Sequence, residues 1–309
     1  MSFFTPPPSI TASVHTRLPD RFRKARATLW ANENRGGLEI DSFLEGPAFG
    51  PDGCLYVTDI PFGRVFRIDA EGEWHLVTEY DGQPNGLKFH ADGRIFITDF
   101  IRGIVLLDPV SGLVTPLLDG PEGQRFRGVN DLTFTANGDL YFTDQGQTGL
   151  QDAAGRLYCL SAAGELTCLL DTIPSPNGVV VDEISKHILI AVTRAQQIWR
   201  IPIRPDGVVA KVGVFAQLHG GLGGPDGLAL GDDGSLFIAH TGFGSVWHLS
   251  RFAEPLARII SPTGHSTTNL AFGGPSRLDL FITESHTGTI LRAPSTVPGR
   301  VLFGSKPSG

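Results

Sequence analysis

The chain has 309 residues, 41% of them hydrophobic and 18% charged, which is enough apolar side-chain surface for a large core and excludes a disordered chain. Its 25 Lys and Arg against 32 Asp and Glu leave a net charge of -7 with no basic stripe, so nucleic acid is not an expected partner. Thirty-nine glycines and 22 prolines beside a single methionine argue against a helical protein and for an all-β chain of many short strands.

In chain order, residues 1–25, with their TPPPS run, read as an N-terminal surface arm, and residues 26–309 as a single domain. The first residues hold no basic stretch followed by an apolar one, and no later segment reaches the roughly 18 apolar residues that span a bilayer. The expectation is a soluble, cytoplasmic protein that does not engage a membrane. Segments 26–32 and 38–43 have strand character and are candidates for a strand that closes a ring, with the tail 301–304 as their rival.

From Glu45 onward six segments align in one register: 45–59, 85–99, 130–144, 177–193, 226–241 and 269–285. Each reads as a polar anchor, a short apolar strand, a turn made by Asp-Gly, Asn-Gly or a substitute, and an alternating strand. A second hairpin follows, clearest over 64–79 and 155–170, so four antiparallel strands recur. Anchor spacings of 40, 45, 47, 49 and 43 residues, with no Trp-Asp signature, predict a six-bladed β-propeller of four-stranded antiparallel blades around a central channel. The cysteines, Cys54, Cys159 and Cys168, read as reduced, packed thiols, the last two opposite each other in a hairpin turning at Ala163-Gly164.

In such a blade the anchor opens the innermost strand and the next strand returns to the same end. Glu45, Asn85, Asn130, Asn177, Asp226 and Asn269 therefore ring one channel mouth, with Asp59, Asp99, Asp144, His240 and Glu284 above or behind them. An all-oxygen ring suits a hard divalent cation. Taken singly, Asn85, Asn177 and Asp226 are ordinary turn formers before glycine. Glu45 is not, and with Asp226 it sets two carboxylates in one channel, a costly repulsion unless a cation neutralises it. Asp59, Asp99 and Asp144, each in a Thr-Asp pair shortly before a glycine, fit loop capping better. His240 and His286 depart from that pattern and are candidates for lining the pocket or moving a proton. With no Gly-x-Ser-x-Gly elbow, Cys-x-x-Cys or His-Glu-x-x-His, serine nucleophiles and thiolate zinc drop out.

The most specific segments are Glu-Gly-Pro at 45–47, Gly-Val-Asn-Asp at 128–131, Ser-Pro-Asn-Gly at 175–178 and Gly-Pro-Asp-Gly at 224–227. With these, residues from about 28 to 295 resemble the senescence marker protein/gluconolactonase, or regucalcin-like, family of six-bladed propeller hydrolases, which includes sugar lactonases and, more distantly, diisopropylfluorophosphatase. The resemblance implies that Glu45, Asn130, Asn177 and Asp226 hold one divalent cation. Calcium is the commonest in the family; zinc, manganese, magnesium and iron also occur. It further implies a small-molecule lactone as substrate and Asp226 as the base for the attacking water, although in phosphotriesterase relatives the same carboxylate attacks directly. Asn130 would also orient the substrate, with Asn85, Arg127, His240, His286 and Phe100 as further contacts. Several members place a substrate-binding Arg two residues before the third-blade Asn. Here that position is Gly128, and Arg127 and Arg125 are the nearest arginines.

Three function classes follow: a lactone hydrolase, which leads, a hydrolase of phosphotriesters or other esters on the same site, and a binding propeller without turnover. The rim loops mix apolar Phe62, Phe100, Ile101 and Phe243 with donors Arg102, Gln145, Gln147, Arg194 and His286, which suggests an apolar-substituted lactone. A monomer or weak homo-oligomer is expected.

Overall fold

Strands short enough to span one blade, each alternating apolar and polar side chains, leave two faces to bury, and the chain buries them by stacking sheet on sheet around an axis. The structure, a computed structural model, describes residues 5–204 and 209–304. Six antiparallel sheets follow one another in chain order, each of four strands, the fifth carrying one extra. The inner strands are Leu44–Phe49, Pro84–Phe89, Val129–Phe134, Pro176–Asp182, Gly224–Leu230 and Thr267–Gly273. Each touches the inner strand of the next blade, and the sixth touches the first, so the protein is a six-bladed β-propeller.

The apolar clusters lie between blades rather than in one central core. Ala48, Tyr56 and Val65 of blade 1 pack on Leu87, Ile95, Ile97 and Val105 of blade 2. Phe96 and Ile104 of blade 2 pack in turn on Leu132, Leu140 and Phe142 of blade 3. Full burial of one such side chain contributes roughly 1.5–3 kcal/mol, so each interface is a substantial share of the net stability.

Ring closure departs from the expectation. Strand β1 (Ser9–Thr11) lies parallel to Pro255–Ile260 at the outer edge of blade 5. Strand β2 (Ser13–Arg17) pairs antiparallel with Thr289–Pro294 as the outer strand of blade 6. The closing strand is therefore Ser13–Arg17, so the described part of the expected arm is built into blades 5 and 6, and neither 26–32, 38–43 nor 301–304 supplies the closing strand. Its sequence, SVHTR, is polar because an outer strand buries little; Ala12 and Leu18 at its ends are the buried positions. Residues 26–43 instead form helix α1 (Leu29–Asn34), whose N-cap Thr28 accepts the Ala31 N–H at 3.0 Å, and an Arg26–Ile40 bridge. At the other end of the chain Phe303 packs on His90 and Phe134.

All three cysteines are free thiols. Cys159 faces Thr167 and Cys168 faces Tyr158, so the expected juxtaposition is out by one residue, and in a strand one residue puts the two side chains on opposite faces. Among the described residues no helix is long and apolar enough to cross a membrane.

Candidate functional site

The six anchors sit inside the inner strands rather than in turns leading to them. In every blade the ladder to the second strand slips at this point: between Glu45 and Ala48, Pro84 and Leu87, Val129 and Leu132, Pro176 and Val179, Pro225 and Leu228, and Thr267 and Asn269. Asn-Gly and Asp-Gly here build β-bulges, which re-aim the anchor toward the axis. The glycine after the anchor lets the next inner strand come close. A Cβ on Gly46 would collide with the Asn85 carbonyl, and one on Gly178 with that of Asp226.

The Thr-Asp pairs at the ends of the second strands divide their work. Thr58, Thr98, Thr143 and Thr193 each donate a hydroxyl hydrogen bond to a carbonyl of the next blade, at Asn85, Asn130, Asn177 and Pro225. The acids cap loops. Asp59 accepts the Phe43 N–H at 2.7 Å and pairs with Arg64. Asp99 accepts from the N–H groups of Gln83, Ile101 and Arg102 and from the Tyr80 hydroxyl. Asp144 accepts from Gly128, and Glu284 from Ser266, His286 and Thr287.

The ring itself is buried at Glu45, Asn85, Asn130, Asn177, Asp226 and Asn269. Glu45 Oε2 accepts from the Gly46 N–H and from Asn269 Nδ2, both at 2.9 Å. Asn130 Nδ2 donates to Gln145 Oε1 at 2.9 Å, and Gln145 Nε2 donates to Ser175 Oγ at 2.9 Å. That relay engages the amide nitrogen and leaves the Asn130 oxygen as the atom available to a ligand.

Burial pushes Glu45 up to about 7, with the Gly46 and Asn269 hydrogen bonds opposing and the Asp131 charge adding. Asp226 is pushed well above the carboxylate range by burial, then by Glu45 and Asp131, with Asn177 and Arg194 opposing. Asp131 is a third buried acid in the channel, raised by burial against the pull of Lys88 and the Leu132 N–H. Sequence reasoning missed it because strict alternation sends the neighbour of Asn130 away from the axis; the bulge sends both inward. An acid directly after an anchor was the available signal. Among the described residues no three His, Cys, Asp or Glu side chains gather around one point fit for a metal. A cation here would need carboxamide oxygens beside the carboxylates of Glu45 and Asp226, and those oxygens are present in the ring.

Other candidates scatter. Phe100 lies against Gly128, whose φ of +147° and missing Cβ make room for the ring; any side chain at 128 would overlap it. That accounts for the absent arginine at this position. Arg127 is exposed and pairs with Asp152 at 3.5 Å. His240 is fully buried, stacked on Phe243 at 4.9 Å, with Nδ1 accepting the Trp247 indole N–H at 3.1 Å. It is packed within blade 5 and not brought into the ring, and burial lowers its pKa to about 4. His286 is exposed on the rim. Phe62 is buried beneath Arg26 and Arg64, and Phe243 is covered by Arg258, so two of the four apolar rim residues pack into their own blades.

Residues 43–286 of this ring match the profile of the SMP-30/Gluconolactonase/LRE-like region. The chain belongs to that family. The matched segment holds all six anchors and leaves β1 and β2 outside it. Relatives of this SMP-30/gluconolactonase/LRE-like chain include the diisopropyl-fluorophosphatase of Loligo vulgaris, 24% identical over 277 residues, covering 80% of this chain and 87% of that protein. Lactonase drp35 of Staphylococcus aureus is 24% identical over 243 residues, covering 76% of this chain and 73% of its own length. Among solved structures, the calcium-binding protein regucalcin of Agrobacterium tumefaciens aligns with a TM-score of 0.72 at 23% identity, over 94% of this chain and 98% of that one.

Proposed function

We propose that this family member is a metal-dependent lactonase that opens a cyclic ester with water, using Glu45, Asn130, Asn177 and Asp226 to hold one divalent cation, calcium first among the candidates. The carrying observation is that Glu45 and Asp226 are buried carboxylates in one channel mouth, each raised by burial and by neighbouring acids, and ringed by carboxamides. Such a pair either keeps protons at neutral pH or binds a cation. An oxygen-only donor set with two charges fits calcium or magnesium better than a thiophilic ion. The relative named as a lactonase and the structural neighbour named as calcium-binding support the same reading.

A bound divalent cation would polarise the ester carbonyl and offset the negative charge that develops on its oxygen. Asp226, with Asn177 on the neighbouring inner strand, takes a proton from the attacking water. Asn130, its amide fixed by Gln145, orients the ester, and Asn85 on the adjacent blade lines the mouth beside it. Phe100 and His286 stand at the rim as further contacts. Arg127, tied to Asp152, is a weaker candidate than its sequence position suggested, and His240, stacked on Phe243 inside blade 5, is a packing residue rather than a substrate contact.

Phosphotriester hydrolysis is the second reading, favoured by the Loligo vulgaris relative, of whose length the match covers 87%. Metal analysis of the purified protein, then a pH-indicator screen of sugar, aliphatic and aromatic lactones and one phosphofluoridate with and without chelator, separates the two. Lactone turnover that stops with EDTA and returns with a divalent cation is expected. Full activity after exhaustive chelation, with no metal left by mass spectrometry, overturns the proposal.

A further inference from the structure

Two arginines approach the channel mouth from opposite sides. Arg194 lies in the 3-10 turn Thr193–Ala195 that ends the second strand of blade 4. Thr193 Oγ1 donates to the Pro225 carbonyl at 2.8 Å, and Gly224 has no room for a Cβ beside the Thr193 carbonyl, so this turn is pressed against the residues just before Asp226. Arg35 caps the C-terminus of α1. That helix packs Trp30 and Ala31 on Ile60 and Phe43, at the mouth end of blade 1, and the Arg35 guanidinium lies 4.7 Å from the Phe43 ring centre. Phe43 is two residues from Glu45. Blades 1 and 4 are three apart in a ring of six, so the segments that carry the two arginines stand on opposite sides of the mouth.

Four other arginines around the mouth are neutralised, Arg23 by Asp41, Arg64 by Asp59, Arg102 by Asp81 and Arg127 by Asp152. Among the described residues Arg35 and Arg194 form no ion pair. Both feel Asp226 electrostatically, and burial holds the Arg35 pKa below its ordinary value. A guanidinium still carries its charge at neutral pH, and its planar fork matches a carboxylate. With a divalent cation balancing Glu45 and Asp226, both arginines would be left facing a mouth of net positive potential, in a protein whose total charge is -7.

We propose that Arg35 and Arg194 clamp an anionic substituent of the substrate, so that the preferred class is a lactone bearing a carboxylate. The inference rests on the lactonase reading above. Water adds to the ring carbonyl, the ring C–O bond breaks, and the leaving oxygen takes a proton. The new carboxylic acid then releases one, so a monoanionic lactone becomes a hydroxy dicarboxylate plus a proton.

The test compares kcat/KM for γ-carboxy-γ-butyrolactone and γ-valerolactone, which differ by carboxylate against methyl, with a divalent cation supplied. Wild type, Arg35→Gln, Arg194→Gln and Arg67→Gln are measured, Arg67 being paired with Asp52 away from this mouth. Wild type should prefer the acid by about tenfold or more, and each rim variant should lose about tenfold of that preference, mainly through KM. Added salt should weaken the preference in wild type, and Arg67→Gln should keep it. Equal rates on the two lactones, unmoved by either rim variant, overturn the clamp. Calorimetric binding of cyclopentanone carboxylate, which has no ester to cleave, separates the two readings. Binding that the rim variants abolish, without turnover of any lactone, sinks the lactonase reading and keeps the clamp. Turnover of neutral lactones with no such binding sinks the clamp alone. If a Gln variant does not fold, Arg35→Lys and Arg194→Lys keep the charge without the fork and should retain part of the preference.

Discussion

Glu45 and Asn85 occupy equivalent points of adjacent blades, yet their removal should have unequal costs. Glu45→Gln deletes one of two ligand charges and should weaken metal binding by at least about tenfold, whereas Asn85→Ala should keep metal content near wild type and disturb substrate binding. Metal content by mass spectrometry after equilibrium dialysis decides; equal losses mean the ring was assigned wrongly. Asp226→Asn should lose about two to four decades of turnover at saturating metal, the usual worth of a positioned base. Recovery of near wild-type turnover with excess ion would reduce Asp226 to a ligand. The same acids set a pH dependence. Without metal, Glu45 at about 7 and Asp226, which burial pushes well above the carboxylate range, hold protons that the unfolded chain has released. The Glu45 contribution is fully present below the ordinary carboxylate range and is lost as pH rises through about 7, and that of Asp226 is lost as pH rises through its own raised value. Metal binding needs both deprotonated, so the Tm gain on adding calcium should grow from pH 5 to pH 8 in circular dichroism melts. A gain that shrinks with pH contradicts the ligand set. At this scale the anchors were legible because polar residues recur in phase at the heads of apolar strands. Asp131 and Arg35 were not, since a bulge and a short helix place them by backbone geometry that alternation does not encode.

The same dipeptide can make a turn or a bulge, and this ambiguity explains the main misreading among the elements. Strands and hairpins followed from alternation and glycine spacing, and the loop-capping role of Asp59, Asp99 and Asp144 followed from their Thr-Asp setting. Whether Asn177-Gly178 turns into a strand or bulges within it depends on the neighbouring inner strand, information held about fifty residues away. Helix α1 was read as strand because Leu29 and Trp30 have β character and six residues are too few to show a helical period; Thr28 was the missed cap. Gly128 offers a test at this scale. Gly128→Ala puts a Cβ into the Phe100 ring and forces a positive φ on a side-chain-bearing residue, which should cost about 1–3 kcal/mol in urea unfolding. Adding Phe100→Ala should return the overlap part and leave the backbone part. Full recovery would mean the backbone there is unstrained.

The blade count was readable from the repeat, but ring closure was not, because the partner of a polar outer strand lies at the opposite end of the sequence. Removing residues 1–18 deletes both β1 and β2 and should cost solubility or several degrees of Tm, while removing residues 1–7 spares both strands and should be nearly silent. A dispensable arm would make both truncations silent. The pairing of Ser13–Arg17 with Thr289–Pro294 also orders events during synthesis. Strand β2, made early, must wait unpaired for the last strand of the sixth blade, so closure is the contact of greatest sequence separation and should limit the refolding rate. Until then a nascent chain carries a free strand at one end and an open edge on blade 6 at the other. At high concentration the free strand of one molecule would fill the open edge of another, giving exchanged dimers whose yield rises with protein concentration during refolding.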